Sequence, residues 1–158
     1  MFIVVLTIIT VSLYIYGISL SVDAQMEDLE NWEEYIEAVC EEKNVCPELV
    51  QAIIERESSW RPKAVNGNCV GLMQIDKVVH AERMERMGIE DLKDPYDNIM
   101  LGVDYLAELF AKHEDLYAVL MFYNAGNSGL EEWENGSYSD YAIEVARRSE
   151  ELERNNGK

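Results

Sequence analysis

Glu57 is the residue whose position is hardest to explain without chemistry. Val50, Ile53, Ile54 and Glu57 fall at the i, i+3, i+4, i+7 spacing of one helix stripe, so a carboxyl extends an apolar face while Glu55 and Arg56 point toward solvent. Burial on such a face disfavours the ionised form. A place in the last helical turn acts the same way, because the negative end of the helix dipole opposes another negative charge. Both effects raise the pKa, and a carboxylic acid that keeps its proton near neutral pH is a general acid. An exposed helix-end glutamate, or one paired with Arg61, has the same local sequence, and the chain has 31 acidic residues, so periodicity alone does not choose.

Two further clusters combine polar tips with apolar bodies. Gln74, in Gly71-Leu72-Met73-Gln74-Ile75, is a neutral amide suited to hydrogen-bonding a hydroxyl or N-acetyl group without adding charge. Tyr123 and Asn124 end a short apolar helix with an inward-facing phenol and amide. Each also fits a core segment with one satisfied polar group. His80 receives no role, and Asp97 is read as a capping residue. The cysteines, Cys40, Cys46 and Cys69, allow one bridge and one spare. No histidine accompanies them and a zinc site needs a fourth ligand, so neither metal nor cofactor is expected.

The elements that must position these groups are helices. Leu29, Trp32, Tyr35, Ile36, Val39 and Cys40 predict an amphipathic helix from about Met26 to Lys43. Pro47 fits the first turn of the helix carrying Glu57, and Pro62 stops it. Asn66-Gly67-Asn68 is a turn signal. A short helix over Val78–Met87 closes at Gly88. Asp94-Pro95-Tyr96-Asp97 starts a longer one running to about His113, in which Gly102 would let another helix approach closely. Leu116 to Asn124 is apolar and ends at Gly126, and a last helix begins at Ser139, with Asn155 to Lys158 expected to fray. No strand-period run of useful length appears. The expected class is all-α or mostly α, helix packed on helix.

A net charge of −18 excludes nucleic acid and anionic lipid surfaces as partners, since no basic patch is available to neutralise phosphates. Residues 2–22 carry no charge, enough to cross a bilayer at about 20 residues, and Val22-Asp23-Ala24 offers a small-x-small cleavage site. Residues 1–24 are therefore expected to be a cleaved signal or a retained single-pass anchor, and 25–158 one exported domain. No oligomeric state follows.

The motifs, taken in order, resemble the soluble-lytic-transglycosylase family of peptidoglycan-cleaving enzymes. They are Glu57-Ser58 with Trp60 and Pro62, then Gly71-Leu72-Met73-Gln74-Ile75, then Asp94-Pro95 with Asn98-Ile99, Gly102 and Tyr105-Leu106, then Tyr123-Asn124-Ala125-Gly126. The resemblance covers roughly residues 33–147 and implies a goose-type-lysozyme-like helical fold with a substrate groove. It implies that Glu57 is the catalytic acid/base, that Ser58 supports it, that Gln74 contacts sugar with Met73 in the groove wall, and that Tyr123 and Asn124 hold the corner near the Glu57 carboxyl. The family commonly has Ser where Asn66 stands; an Asn there can still bind an N-acetyl group. Asp76 replaces a frequent Met and is a candidate second acid. Cys69 replaces a small residue, and a bridge to Cys40 is the favoured pairing. The implied reaction is cleavage of the β-1,4 bond between N-acetylmuramic acid and N-acetylglucosamine without water. A muramidase using Asp76 or Asp97 to activate water, and a catalytically silent wall-binding protein, are the alternatives.

Overall fold

The computed structural model describes residues 32–158. The expected signal or anchor at 1–24 and the start of the first amphipathic helix lie outside them. Among the described residues, no helix is long and apolar enough to cross a membrane.

Helix α1, described over 32–43, points the fully buried Ile36 and Cys40 inward. Asn44 takes a positive φ of 56°, which turns the chain toward Pro47. Helix α2 (Pro47–Ser58) buries Val50, Ile53 and Ile54 completely, along the stripe that ends in Glu57. It stops before Pro62: Ser59 and Trp60 both adopt left-handed φ, 51° and 61°, and the Arg61 guanidinium donates to the Ser58 carbonyl at 2.8 Å. Arg61 is thus committed to the helix end. Glu55 does not face open solvent as its spacing suggests, because Arg148 of the last helix grips it with two hydrogen bonds of 2.6 and 2.9 Å.

The segment after α2 forms a small antiparallel sheet in the order β1 (Val65–Asn66), β2 (Cys69–Val70), β3 (Ile75–Asp76). The domain is mostly helical, as expected, and adds only this one sheet, whose two-residue strands carry no readable alternation. Helix α3 (Ala81–Met87) starts three residues later than expected, after a turn in which the Asp76 carboxylate accepts from the Val78 and Val79 amides at 2.8 and 3.1 Å. Gly88 closes it with a φ of 70°.

Helix α4 (Pro95–Lys112) begins as its sequence dictates, with Asp94 accepting from the Tyr96 and Asp97 amides. Its buried face includes Ile99, Val103 and Leu106. Gly102 accommodates a side chain rather than another helix: a Cβ there would lie 2.3 Å from the Met73 sulfur. Helix α5 (Leu116–Ala125) is the apolar centre, with Ala118 to Met121 all buried, and it packs on α4, α6 and α7. Helix α6 (Asn127–Glu134) follows Gly126 directly, and its Gly129 lies so close to α5 that a Cβ would meet the Met121 carbonyl at 2.1 Å.

Helix α7 (Asp140–Asn155), capped by Ser139, packs along α2 and α5. The expected fraying of its end is corrected. The Lys158 ammonium and the Asn156 amide donate to the nearly fully buried Glu48 carboxylate at 2.6 and 3.0 Å, which ties the tail to the first turn of α2.

Candidate active site

Between the end of α2, the small sheet, the start of α3 and the end of α5 lies a cavity of about 470 Å³. Glu57, Asn66, Gln74, Tyr123 and Asn124 all line it. They arrive from three separate stretches of chain, so their meeting is a property of the fold. The lining carries two carboxylates, Glu57 and Asp76, and no lysine or arginine.

Glu57 is half-buried in the last turn of α2, with its carboxyl open to the cavity. Burial raises its pKa, and this outweighs the opposing influence of the Tyr141 hydroxyl and of the Arg56 charge. Tyr141, on α7, stands behind the carboxyl. Its hydroxyl is sealed from solvent and forms no hydrogen bond of normal geometry among the described residues, yet it lies close enough to Glu57 to favour the anion. A titratable carboxyl therefore faces a phenol that has no other partner among the described residues. Nothing in the sequence local to α7 points to α2, so the pattern of the chain does not reveal this neighbour of Glu57.

Two side chains hold the loop from Val70 to Gln74. Asn98, fully buried in the first turns of α4, accepts from the Met73 amide at 2.8 Å and donates to the Val70 and Leu92 carbonyls at 2.9 Å each. Gly71 makes this possible: it has a φ of 85°, and a Cβ would lie 2.1 Å from the Asn98 amide nitrogen. Tyr123 adds a second anchor, its hydroxyl donating to the Met73 carbonyl at 2.8 Å. Burial, then the neighbouring Glu57, push the Tyr123 phenol far above its ordinary pKa, so it remains a donor.

Gln74 adopts a positive φ of 47° and turns its amide NH2 back onto the Gly71 and Ala64 carbonyls, at 2.9 and 3.3 Å. Its side-chain oxygen is the part left to accept from a molecule in the cavity. Asn66, on β1, and Asn124, at the end of α5, are exposed at the cavity's edge.

Three residues expected at the site, Met73, Ser58 and Asp97, do not line the cavity. Met73 is fully buried, packs on Gly102 and does not line the cavity; its contribution is the carbonyl that Tyr123 holds. Ser58 is buried too, its hydroxyl donating to the Ile54 carbonyl at 3.2 Å within the helix. Asp97 does not line the cavity either, whereas Asp76 does. The Cys40–Cys69 bridge is not formed, and all three cysteines are free thiols. Cys40 is sealed in the core, and burial, the nearby Cys46 and Glu48 push it up to about 12. Cys69 lines the cavity beside Asp76 and Glu57, whose charges add to burial in keeping it a thiol. His80 also lines the cavity. No group of three or more His, Cys, Asp or Glu among the described residues is placed to hold a metal ion.

Residues 34–145 match the family described as Transglycosylase SLT domain. The chain is 32% identical over 93 residues to invasion protein IagB of Salmonella typhimurium, across 54% of this chain and 58% of that protein. It is 31% identical over 117 residues to membrane-bound lytic murein transglycosylase E of Buchnera aphidicola, across 65% of this chain and 53% of that one. Among solved structures, the lytic transglycosylase Slt of Pseudomonas aeruginosa, determined as an inactive mutant, superposes with a TM-score of 0.57 at 23% identity. That match covers 71% of this chain and 20% of the larger one, and shows a common fold. The chain therefore spans between a fifth and three fifths of these proteins' lengths.

Proposed function

The chain belongs to the Transglycosylase SLT domain family, and we propose that it is a peptidoglycan lytic transglycosylase with Glu57 as its acid and then its base. The observation that carries this is the half-buried Glu57 carboxyl, its pKa raised, opening into a cavity shared with Gln74 and Tyr123. The substrate is the glycan strand of the wall.

Glycosidases usually use two carboxylates; here the substrate supplies what a second would. Glu57 gives its proton to the glycosidic oxygen as the β-1,4 bond between N-acetylmuramic acid and N-acetylglucosamine breaks. The N-acetyl oxygen of the muramic residue stabilises the positive charge left at C1. The Glu57 carboxylate then takes the proton from the C6 hydroxyl, whose oxygen bonds to C1 and closes a 1,6-anhydro ring. The proton borrowed in the first half is restored in the second, and no water is consumed. Gln74 accepts a hydrogen bond from the sugar, and Asn66 and Asn124 bind polar groups at the edges.

Asp76 supports a second reading, because it is the other carboxylate in the cavity. As the base of a water-using muramidase it would act through Oδ2, since Oδ1 is occupied by two backbone amides. Glu57→Gln and Asp76→Asn proteins, compared on purified wall, separate the two. The transglycosylase reading expects the first to lose roughly 10²–10⁴-fold in fragment release and the second to retain most activity. Full activity in Glu57→Gln would remove it.

Action on the wall requires export. We assign that to residues 1–24, as a cleaved signal or a retained single-pass anchor, with the domain on the extracytoplasmic side. Fractionation of cells expressing the full chain tests this; a domain found only in the cytosol contradicts it.

A further inference from the structure

Nothing in the sequence recommends His80, yet the fold builds it into the cavity wall. Three rings run along that wall. Tyr123 stands beside Glu57, Tyr105 follows with its centroid 5.5 Å from Tyr123, and His80 meets Tyr105 edge-on at 4.4 Å. Arg83 lies over the same Tyr105 ring, 5.3 Å from its centroid, and is pinned by Asp104 and Glu108. The backbone of His80 is fixed as well: its amide donates to the Asp76 carbonyl at 3.0 Å and its carbonyl accepts from Met84 at 2.9 Å.

His80 is only 9% exposed, and its ring nitrogens have no hydrogen-bond partner among the described residues. They are not sealed off, since the Tyr141 hydroxyl is the one such partnerless atom there. His80 itself lines the cavity. A rigid ring with open nitrogens in a cavity wall is a preorganised hydrogen-bonding group. We propose that His80 is a substrate-binding residue that hydrogen-bonds a hydroxyl or N-acetyl group of the glycan, one or more saccharides away from the bond at Glu57. This rests on reading the cavity as a glycan site.

The charges around the ring set how such a contact responds to pH. Asp76 faces it from β3, Arg83 from α3, and Tyr105 and Glu108 from α4, while Glu57 shares the cavity. Burial first and Arg83 next hold its pKa below the ordinary histidine value, against Asp76 and Glu108. At neutral pH the ring therefore has one donor and one acceptor nitrogen. Protonation removes the acceptor and leaves a cation with a second donor in its place.

Calorimetric titration of a β-1,4-linked N-acetylglucosamine oligomer, an uncharged probe, into the full chain carrying Glu57→Gln tests this. His80→Phe in that background should weaken binding about tenfold at pH 7, and His80→Gln less than threefold, since an amide can both donate and accept. With His80 present, affinity should fall as pH drops below the ordinary histidine range, and with His80→Gln it should not. Should His80→Phe fail to fold, the His80→Gln pH profile decides. Equal affinity in all three proteins, or the same pH slope with and without His80, overturns this inference alone. Failure of the oligomer to bind the parent protein overturns the glycan reading of the cavity and this inference with it.

Discussion

The Tyr123 hydroxyl donates to the Met73 carbonyl oxygen at 2.8 Å, joining the end of α5 to a loop fifty residues earlier in the chain. The bond explains why a tyrosine and a buried methionine belong to one site although only the tyrosine reaches the cavity. Met73 fills the space above Gly102, its carbonyl is thereby fixed, and Tyr123 is held with its ring along the cavity wall.

Tyr123→Phe keeps the ring and leaves that carbonyl without its partner. The expected cost is about 1–3 kcal/mol. It should appear as a lower urea midpoint with an unchanged slope, since the folded and unfolded surfaces stay the same. Wall cleavage should fall with it, because the loop bearing Gln74 loses one of its two anchors.

Asn98 is the other anchor, and it resists conservative replacement. Asn98→Ala removes three hydrogen bonds in a fully buried place, and a loss of about 3 kcal/mol or more follows. Asn98→Asp should be nearly as damaging although it is isosteric, because a carboxylate cannot donate to the Val70 and Leu92 carbonyls. Chemical unfolding of both variants checks this; a stable Asn98→Asp protein would contradict the assigned roles of the amide.

Glu57 makes stability and activity depend on pH in a related way. Its pKa is raised in the folded chain, so the folded state binds the proton more tightly than the unfolded one. The resulting stabilisation is present at low pH and is lost as pH rises from the unfolded value through the folded one. Glu57→Gln should therefore melt higher than the parent at pH 7–8, and the difference should shrink below about pH 4. Catalysis by a protonated Glu57, as proposed above, should decline over the same rise. Tyr141 opposes the shift, so Tyr141→Phe should move this alkaline limb to higher pH. A residue that mattered only for packing would lower activity at every pH and leave the limb in place.

Glu48 has the opposite sign. Burial alone would raise its pKa, but the hydrogen bonds from Lys158 and Asn156 outweigh it and bring the carboxyl to about 2. The stability it provides is full above the unfolded value and is lost as pH falls from there toward about 2. Ending the chain at Asn155 should lower the melting temperature at pH 7, by an amount that diminishes as the solution is acidified. A melting temperature insensitive to the truncation would show that the tail is not tied down.

Some of this was legible from local pattern. The α2 stripe announces that Glu57 faces inward, and Asp94-Pro95 announces the start of α4, because both signals lie within one or two turns of chain. What escaped depends on partners distant in sequence. Glu48 and Lys158 are 110 residues apart, so the tail reads as loose until the fold brings its ammonium to a buried carboxylate. His80, just before α3, and Tyr141, on α7, look like ordinary packing residues locally, and acquire meaning only against α4 and α2. Helix α6 has few apolar residues, begins Asn-Ser-Gly and is set by its close approach to Met121 rather than by propensity. Nothing local to Cys40 or Cys69 reveals whether they meet, and the fold places one thiol in the core and the other in the cavity wall.

The central claim is that Glu57 acts twice on one substrate molecule and that water takes no part. Digestion of purified peptidoglycan in heavy-oxygen water, followed by mass spectrometry of the released muropeptides, tests it most directly. The expected products carry 1,6-anhydro-muramoyl ends, one water lighter than reducing ends and free of the heavy isotope. Reducing ends carrying one heavy oxygen atom would contradict it.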